Sequence, residues 1–183
     1  MGSRIHDRTY RSAAELVRAI RDEHVLEAIG LDSWLLANRV VWPALEAGVP
    51  LVIGGEFAAA LQGVPIGEPE MVLHVRLPDL DAFHRVVRTA HGSLGVLGSS
   101  LGTLAREDVT VGSELAVIAL GGLIRVLMVD EPPAAKMISV ERWFVEDRTP
   151  VDVPVVPLVE LLESGAVGSV TTALAERLLQ RGL

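Results

Sequence analysis

From Pro50 to Pro65 the chain passes through an apolar stretch, Pro50 to Ile53, a glycine pair, Gly54-Gly55, an alanine-rich segment, Glu56 to Gln62, and the turn Gly63-Val64-Pro65. No other feature limits the possible folds as strongly. A short apolar run bounded by turn residues reads as a buried strand, and the segment after it reads as a helix closed by a breaker. Met71 to Val75 is a second strand-like stretch, and Pro78 and Asp79 open a helix through Phe83, Val86 and Val87 to Ala90. Strand, helix, strand, helix calls for an α/β or α+β sheet with helices laid on it.

The flanking regions fill in that plan. Ser12 to Ile29 reads as an amphipathic helix with a Ser12/Glu15 capping box. Asp32 can cap a second helix through Trp34, Leu35, Asn38 and Val41 toward Leu45. Pro43 should kink or re-start it, and Gly48 should end it. Trp34 and Trp42 share one helical face and are expected to pack in the core. Gly92 to Gly102 reads as a loop with one short strand. Glu114 to Leu120 and Leu123 to Val129 are strands about the hairpin signal Gly121-Gly122. Asp130 to Pro133 is a turn, and Lys136 to Val145 is ambiguous. Val151 to Val156 is a strand with prolines, hence expected at an edge. Leu158 to Glu163 and Thr171 to Gln180 are helices, with Ser169 or Thr171 as a cap of the second. The expected organisation is an N-terminal helical segment, residues 1–48, ahead of a sheet-bearing domain, residues 49–183.

Composition excludes several functions. The 183 residues carry a formal net charge of -8, which argues against broad binding to nucleic acid or anionic membranes and favours a protein partner or self-association. Cysteine is absent, so there is no disulfide, thiolate metal site or cysteine nucleophile. Met1 to Arg11 lacks the apolar stretch of a signal peptide. Leu115 to Leu127 is interrupted by Gly121, Gly122 and Arg125 and is too short to span a bilayer. A cytoplasmic location is expected.

The run Leu51-Val52-Ile53-Gly54-Gly55-Glu56-Phe57-Ala58-Ala59-Ala60-Leu61-Gln62-Gly63-Val64-Pro65 resembles the opening of a minimal nucleotidyltransferase of the polymerase-β-like superfamily, in particular the abortive-infection toxin type. Leu120 to Leu127 and Val153 to Leu162 resemble the later strand and the closing strand and helix of that family. The resemblance implies a nucleotidyltransferase-like mixed sheet flanked by helices. It also implies a phosphate loop at Gly54 and Gly55, an Asp-x-Asp pair on the next strand and a third carboxylate on a later strand. Glycines at such a junction let backbone N–H groups approach a phosphate, and the following helix N-terminus favours anions. Two carboxylates one residue apart point to the same side of a strand and, with a third, can hold two metal ions for nucleotidyl transfer.

The chain departs from that pattern where the chemistry lies. The Asp-x-Asp positions fall at Glu70 and Val72, and the third carboxylate falls at Arg125. Ile66 and Glu68 stand where the family has Arg and Thr. Glu56 follows the glycines, where a carboxylate suits a helix start but repels a triphosphate. Asp79-Leu80-Asp81 is a true Asp-x-Asp, but after Pro78 it reads as helix capping. A relocated metal site of Glu70, Asp79 and Asp81 is the alternative. His74 lies on a central strand and His84 and His91 could share a helix face, while His6 and His24 complete the histidines. None of the five pairs with Glu in a zinc-helix pattern. Ser93, Ser99 and Ser100 lack a nucleophile-elbow context, and Lys136 and Arg142 read as solvated charges.

Three functions follow as expectations. The first is a non-catalytic nucleotidyltransferase-fold protein, a pseudoenzyme with no cofactor, acting by protein–protein interaction as a scaffold, regulatory or assembly subunit. The second is an active nucleotidyltransferase with relocated carboxylates, requiring Mg and a nucleoside triphosphate. The third is a structural subunit of a larger particle. The loss of two metal-ligand positions favours the first.

Overall fold

The computed structural model describes residues 31–97, 104–140 and 150–180. Within them a seven-stranded mixed sheet has the order β3-β4-β5-β2-β1-β7-β6. Its strands are β1 Leu51–Gly54, β2 Met71–Arg76, β3 Ser93–Val96, β4 Glu114–Ala119, β5 Gly122–Val129, β6 Lys136–Val140 and β7 Val151–Val155. The pairs β2–β5 and β1–β7 are parallel. The pairs β1–β2, β3–β4, β4–β5 and β6–β7 are antiparallel. The expected α+β architecture, a mixed sheet flanked by helices, is therefore present.

Alternation gives the central strands two unlike faces. Met71, Leu73 and Val75 of β2, Ile124, Val126 and Met128 of β5 and Leu115 and Val117 of β4 are buried on one face. On the other face lie Val72, His74 and Arg76, then Arg125 and Leu127, then Glu114 and Ala116. The first face builds the core and the second carries the polar groups.

The N-terminal helical stretch is broken in the middle. Helix α1, Leu31–Leu36, gives way to a π turn, Ala37–Val41, and then to α2, Trp42–Glu46. The Trp42 N–H bonds the Ala37 carbonyl five residues back. Pro43 follows at the start of α2, where its missing N–H removes one i→i−4 bond. Trp34 and Trp42 are both buried and meet edge to face, with centroids 5.8 Å apart. Helix α3, Gly55–Leu61, packs on β1 and β2. Helix α4, Leu80–Thr89, buries Leu80, Phe83 and Val87, a spacing that forms one helical face.

Helices α5, Leu158–Glu163, and α6, Ser169–Gln180, close the fold against α3. Two polar side chains fasten them. Gln62 donates to the carbonyls of Ala58 and Val156 and accepts from the Leu158 N–H. Glu56 accepts from the Thr171 hydroxyl at 2.8 Å and from the Glu70 N–H at 3.3 Å. Among the described residues no helix is long and apolar enough to cross a membrane.

Four local expectations need correction or lie elsewhere. Strand β7 is interior, with β6 outside it. The Val156 N–H donates to the Ile53 carbonyl, and alternation turns the Pro154 nitrogen toward the same neighbour. The proline thus shortens the β1–β7 ladder without placing β7 at an edge. Asp79 occupies the N-cap of α4 but makes no side-chain cap bond; its carboxylate accepts from Arg76 Nε at 2.7 Å. His84 and His91 do not share a helix face, because α4 ends at Thr89 and His91 takes a left-handed conformation, φ 56°. The Ser12–Ile29 helix, His6, His24, Ser99, Ser100, Arg142 and Trp143 lie outside the described residues.

Candidate functional site

The site begins at the β1–α3 junction. Gly55 has φ +62°, a conformation that costs a residue with a Cβ about 1–2 kcal/mol. A Cβ on Gly55 would also stand 2.9 Å from Val72 Cγ2, and one on Gly54 would stand 2.6 Å from His74 Nε2. The side chains of the adjacent strand thus favour glycine at both positions apart from any ligand, most firmly at Gly55, which meets the stiff, branched Val72. Antiparallel register places Gly54 opposite Val72 and Val52 opposite His74.

Strand β5 lies on the other flank of β2, with Arg125 beside Val72 and Leu127 beside His74. Arg125 Nη1 donates to Glu70 Oε1 at 2.8 Å. Its Nε and Nη2 meet Glu114 Oε1 from strand β4. Glu70, Val72, Arg125 and the two glycines therefore come together at one end of β2. The hydrogen bonds that Arg125 donates to Glu70 and then to Glu114 raise its pKa above its ordinary value, so the guanidinium stays charged. Burial lowers the pKa of His74 from its ordinary value and so favours the neutral imidazole.

These residues line a cleft of about 510 Å³. Glu70, Val72, His74, Arg125 and Leu127 come from the sheet, while Glu160 and Leu161 come from α5. Glu70 and Glu160 bring two carboxylates against one guanidinium, and Glu114 shares that guanidinium. The cleft therefore has no excess positive charge to offer a triphosphate. Nor do its residues fit a two-metal centre. Val72 has no lone pair, Arg125 repels a divalent ion, and the carboxylates of Glu70 and Glu114 already face Arg125. Among the described residues no group of three His, Asp or Glu side chains could hold a metal ion.

The alternative carboxylates point elsewhere. Asp79 pairs with Arg76, and Asp81 lies 3.6 Å from Arg106. Neither lines the cleft that Glu70 lines. Lys136 is exposed on β6 and Ser93 opens β3, both apart from the cleft.

Sequence reasoning missed Glu114 and Glu160. Glu114 could have been found by counting from the hairpin. Once Ala119 faces Gly122, Ala116 must face Arg125 and Glu114 must face Leu127, on the same side and one diagonal step from Arg125. Glu160 gives no such signal, since it reaches the cleft through the tertiary placement of α5.

The class of fold is now defined: a mixed α+β fold, a seven-stranded sheet with flanking helices, of nucleotidyltransferase-like architecture. It is similar to the crystal structure of ANT(2")-Ia in complex with adenylyl-2"-tobramycin, with a TM-score of 0.50 and 14% sequence identity over 81% of this chain and 90% of that one. No protein-family model and no curated protein matches the sequence.

Proposed function

We propose that this chain is a nucleotidyltransferase-fold protein without metal-dependent transfer activity, which works in the cytoplasm by binding another protein as a scaffold, regulatory or assembly subunit. In motif pattern it resembles the abortive-infection toxin type. Glu70, Val72 and Arg125 occupy the former ligand positions, and Gly54 and Gly55 the former phosphate loop. One observation carries the reading: Arg125 places a fixed positive charge between Glu70 and Glu114, where a divalent ion would need oxygen donors. The guanidinium acts there as an internal counter-ion. The net charge of -8 favours a protein over nucleic acid as the partner.

Two measurements test it. Purified protein incubated with the four nucleoside triphosphates, magnesium or manganese, and candidate protein or RNA acceptors should transfer no label. Transfer abolished by Glu70→Gln would make the chain an active enzyme with relocated ligands. In the second, the double variant Val72→Asp/Arg125→Asp should gain manganese binding in calorimetry that the wild-type protein lacks. Equal binding by both would show that these positions do not form the former metal site. The protein-binding half is read by size-exclusion chromatography and pull-down from the native source, where a lone monomer would count against it.

A further inference from the structure

A second cavity of about 510 Å³ lies where the N-terminal helices meet α4, apart from the cleft at Arg125. Pro43, Ala47, Ala82 and Val86 give it apolar walls, and Arg39 and Arg85 bring two guanidinium groups. Among the described residues no carboxylate lines it. That is unusual for a chain in which 24 acidic residues outnumber 16 basic ones. Arg76, Arg106 and Arg125 are each paired with acids. Arg39 and Arg85 are exposed and have no ion pair among the described residues. Asp81, one helical turn before Arg85, is turned to Arg106.

The backbone points the same way. Arg39 sits on the π turn Ala37–Val41, and single π turns inside α-helices are frequent at functional sites. A π turn widens the helix and re-aims its side chains, here beside the cavity.

We propose that this groove binds a small amphipathic anion: a carboxylate, sulfate or phosphate ester carried on an apolar body. The forked guanidinium groups match planar or tetrahedral oxyanions. The apolar walls take the body, and the volume falls within the roughly 300–1,000 Å³ range of small-molecule sites. The proposal stands independently of the function assigned to the Arg125 cleft.

The probe is 8-anilinonaphthalene-1-sulfonate, compared with N-phenyl-1-naphthylamine, which has the same apolar body without the sulfonate. The full-length protein should bind the sulfonate saturably at one site and more tightly than the neutral analogue. Arg39→Glu/Arg85→Glu should weaken sulfonate binding about ten-fold or more while leaving the neutral analogue unchanged, as loss of charge-assisted bonds requires. Lys136→Glu/Arg177→Glu, an equal change of net charge on other exposed residues, should leave both affinities unchanged. Circular dichroism checks folding, and Arg39→Gln/Arg85→Gln replaces the reversal if that variant does not fold. Displacement by decanoate, decyl phosphate and decanol then separates the headgroups, with decanol weakest. Equal affinity for the sulfonate and the neutral analogue overturns the proposal. So does a folded groove variant that binds the sulfonate like the wild-type protein, or an equal loss in the control variant.

Discussion

Replacing Gly55 with alanine should introduce two separable costs, and three glycines in this fold allow each to be measured alone. Gly48→Ala isolates the backbone cost: Gly48 has φ +74°, and a Cβ there would meet nothing within 4 Å. That variant should lose about 1–2 kcal/mol to the left-handed conformation, offset by roughly 0.4–1 kcal/mol from the less flexible unfolded chain. Gly54→Ala isolates the steric cost, because its φ is an ordinary −119° while its Cβ would lie 2.6 Å from His74 Nε2. Overpacking of this kind costs about 1–3 kcal/mol. Gly55→Ala combines φ +62° with a Cβ 2.9 Å from Val72 Cγ2, so its loss should be about 2–4 kcal/mol. Truncating the neighbour, Val72→Ala, should remove the steric part alone. The double variant Gly55→Ala/Val72→Ala should therefore be more stable than the sum of the single losses by about 1 kcal/mol or more. Sites that do not touch add within about 0.3–0.5 kcal/mol. Urea unfolding followed by tryptophan fluorescence reads all of these, since Trp34 and Trp42 pack against each other in the core. Additive losses, or a Gly55→Ala variant no less stable than Gly48→Ala, would refute the β1–β2 register on which the site rests.

Three further outcomes follow from the same geometry. Arg125→Met should cost about 1–2 kcal/mol by urea unfolding, a range discounted because Arg125, Glu70 and Glu114 are all partly exposed; added salt should reduce the loss by screening the repulsion left between the two carboxylates. Leu120→Asn should raise stability by about 1 kcal/mol, because Leu120 is 66% exposed and held at φ 53° in the two-residue hairpin turn, which favours asparagine; an unchanged melting temperature would refute this. His74→Gln should flatten the fall in stability on acidification. Burial lowers the folded-state pKa of His74, so as pH drops below 6.5 the unfolded chain takes up the proton first and stability declines toward the folded-state pKa. Equal slopes for the variant and wild-type protein between pH 7.5 and pH 5 would refute the assignment.

The parts of the fold legible in the sequence were those governed by short-range physics. The glycine pair, the hairpin near Gly121 (its turn is Leu120-Gly121, one residue earlier than the expected Gly121-Gly122, with Gly122 already in β5), the apolar alternation of β2 and β5 and the break near Pro43 each mark themselves within a few residues. The parts that failed depend on partners distant in the chain. Pro154 was expected at an edge because a proline interrupts a ladder, yet β6 pairs with the whole of β7 while β1 meets only its end. Asp79 has the composition of a cap, but Arg76, three residues earlier, takes its carboxylate. At the candidate site, Glu70, Val72 and Arg125 were reached by spacing and do adjoin. Glu114 required the hairpin register to be followed to the far end of β4, and Glu160 required knowing where α5 lies.

The two faces of the sheet explain how such a site can change without loss of the fold. In β2 the residues that build the core, Met71, Leu73 and Val75, alternate with those that meet the cleft, Val72 and His74. Strand β5 repeats the division, with Ile124 and Val126 inward and Arg125 and Leu127 toward the cleft. Substitution at Val72 or Arg125 leaves the apolar face of both strands as it was. What the fold does constrain is charge. Two carboxylates drawn together without a cation would repel each other, and a metal ion or a guanidinium can each supply the compensation. With arginine at position 125 the compensation is covalently part of the chain. On the proposed reading the sheet then closes without a bound ion, and the same choice would remove the open coordination positions that nucleotidyl transfer requires.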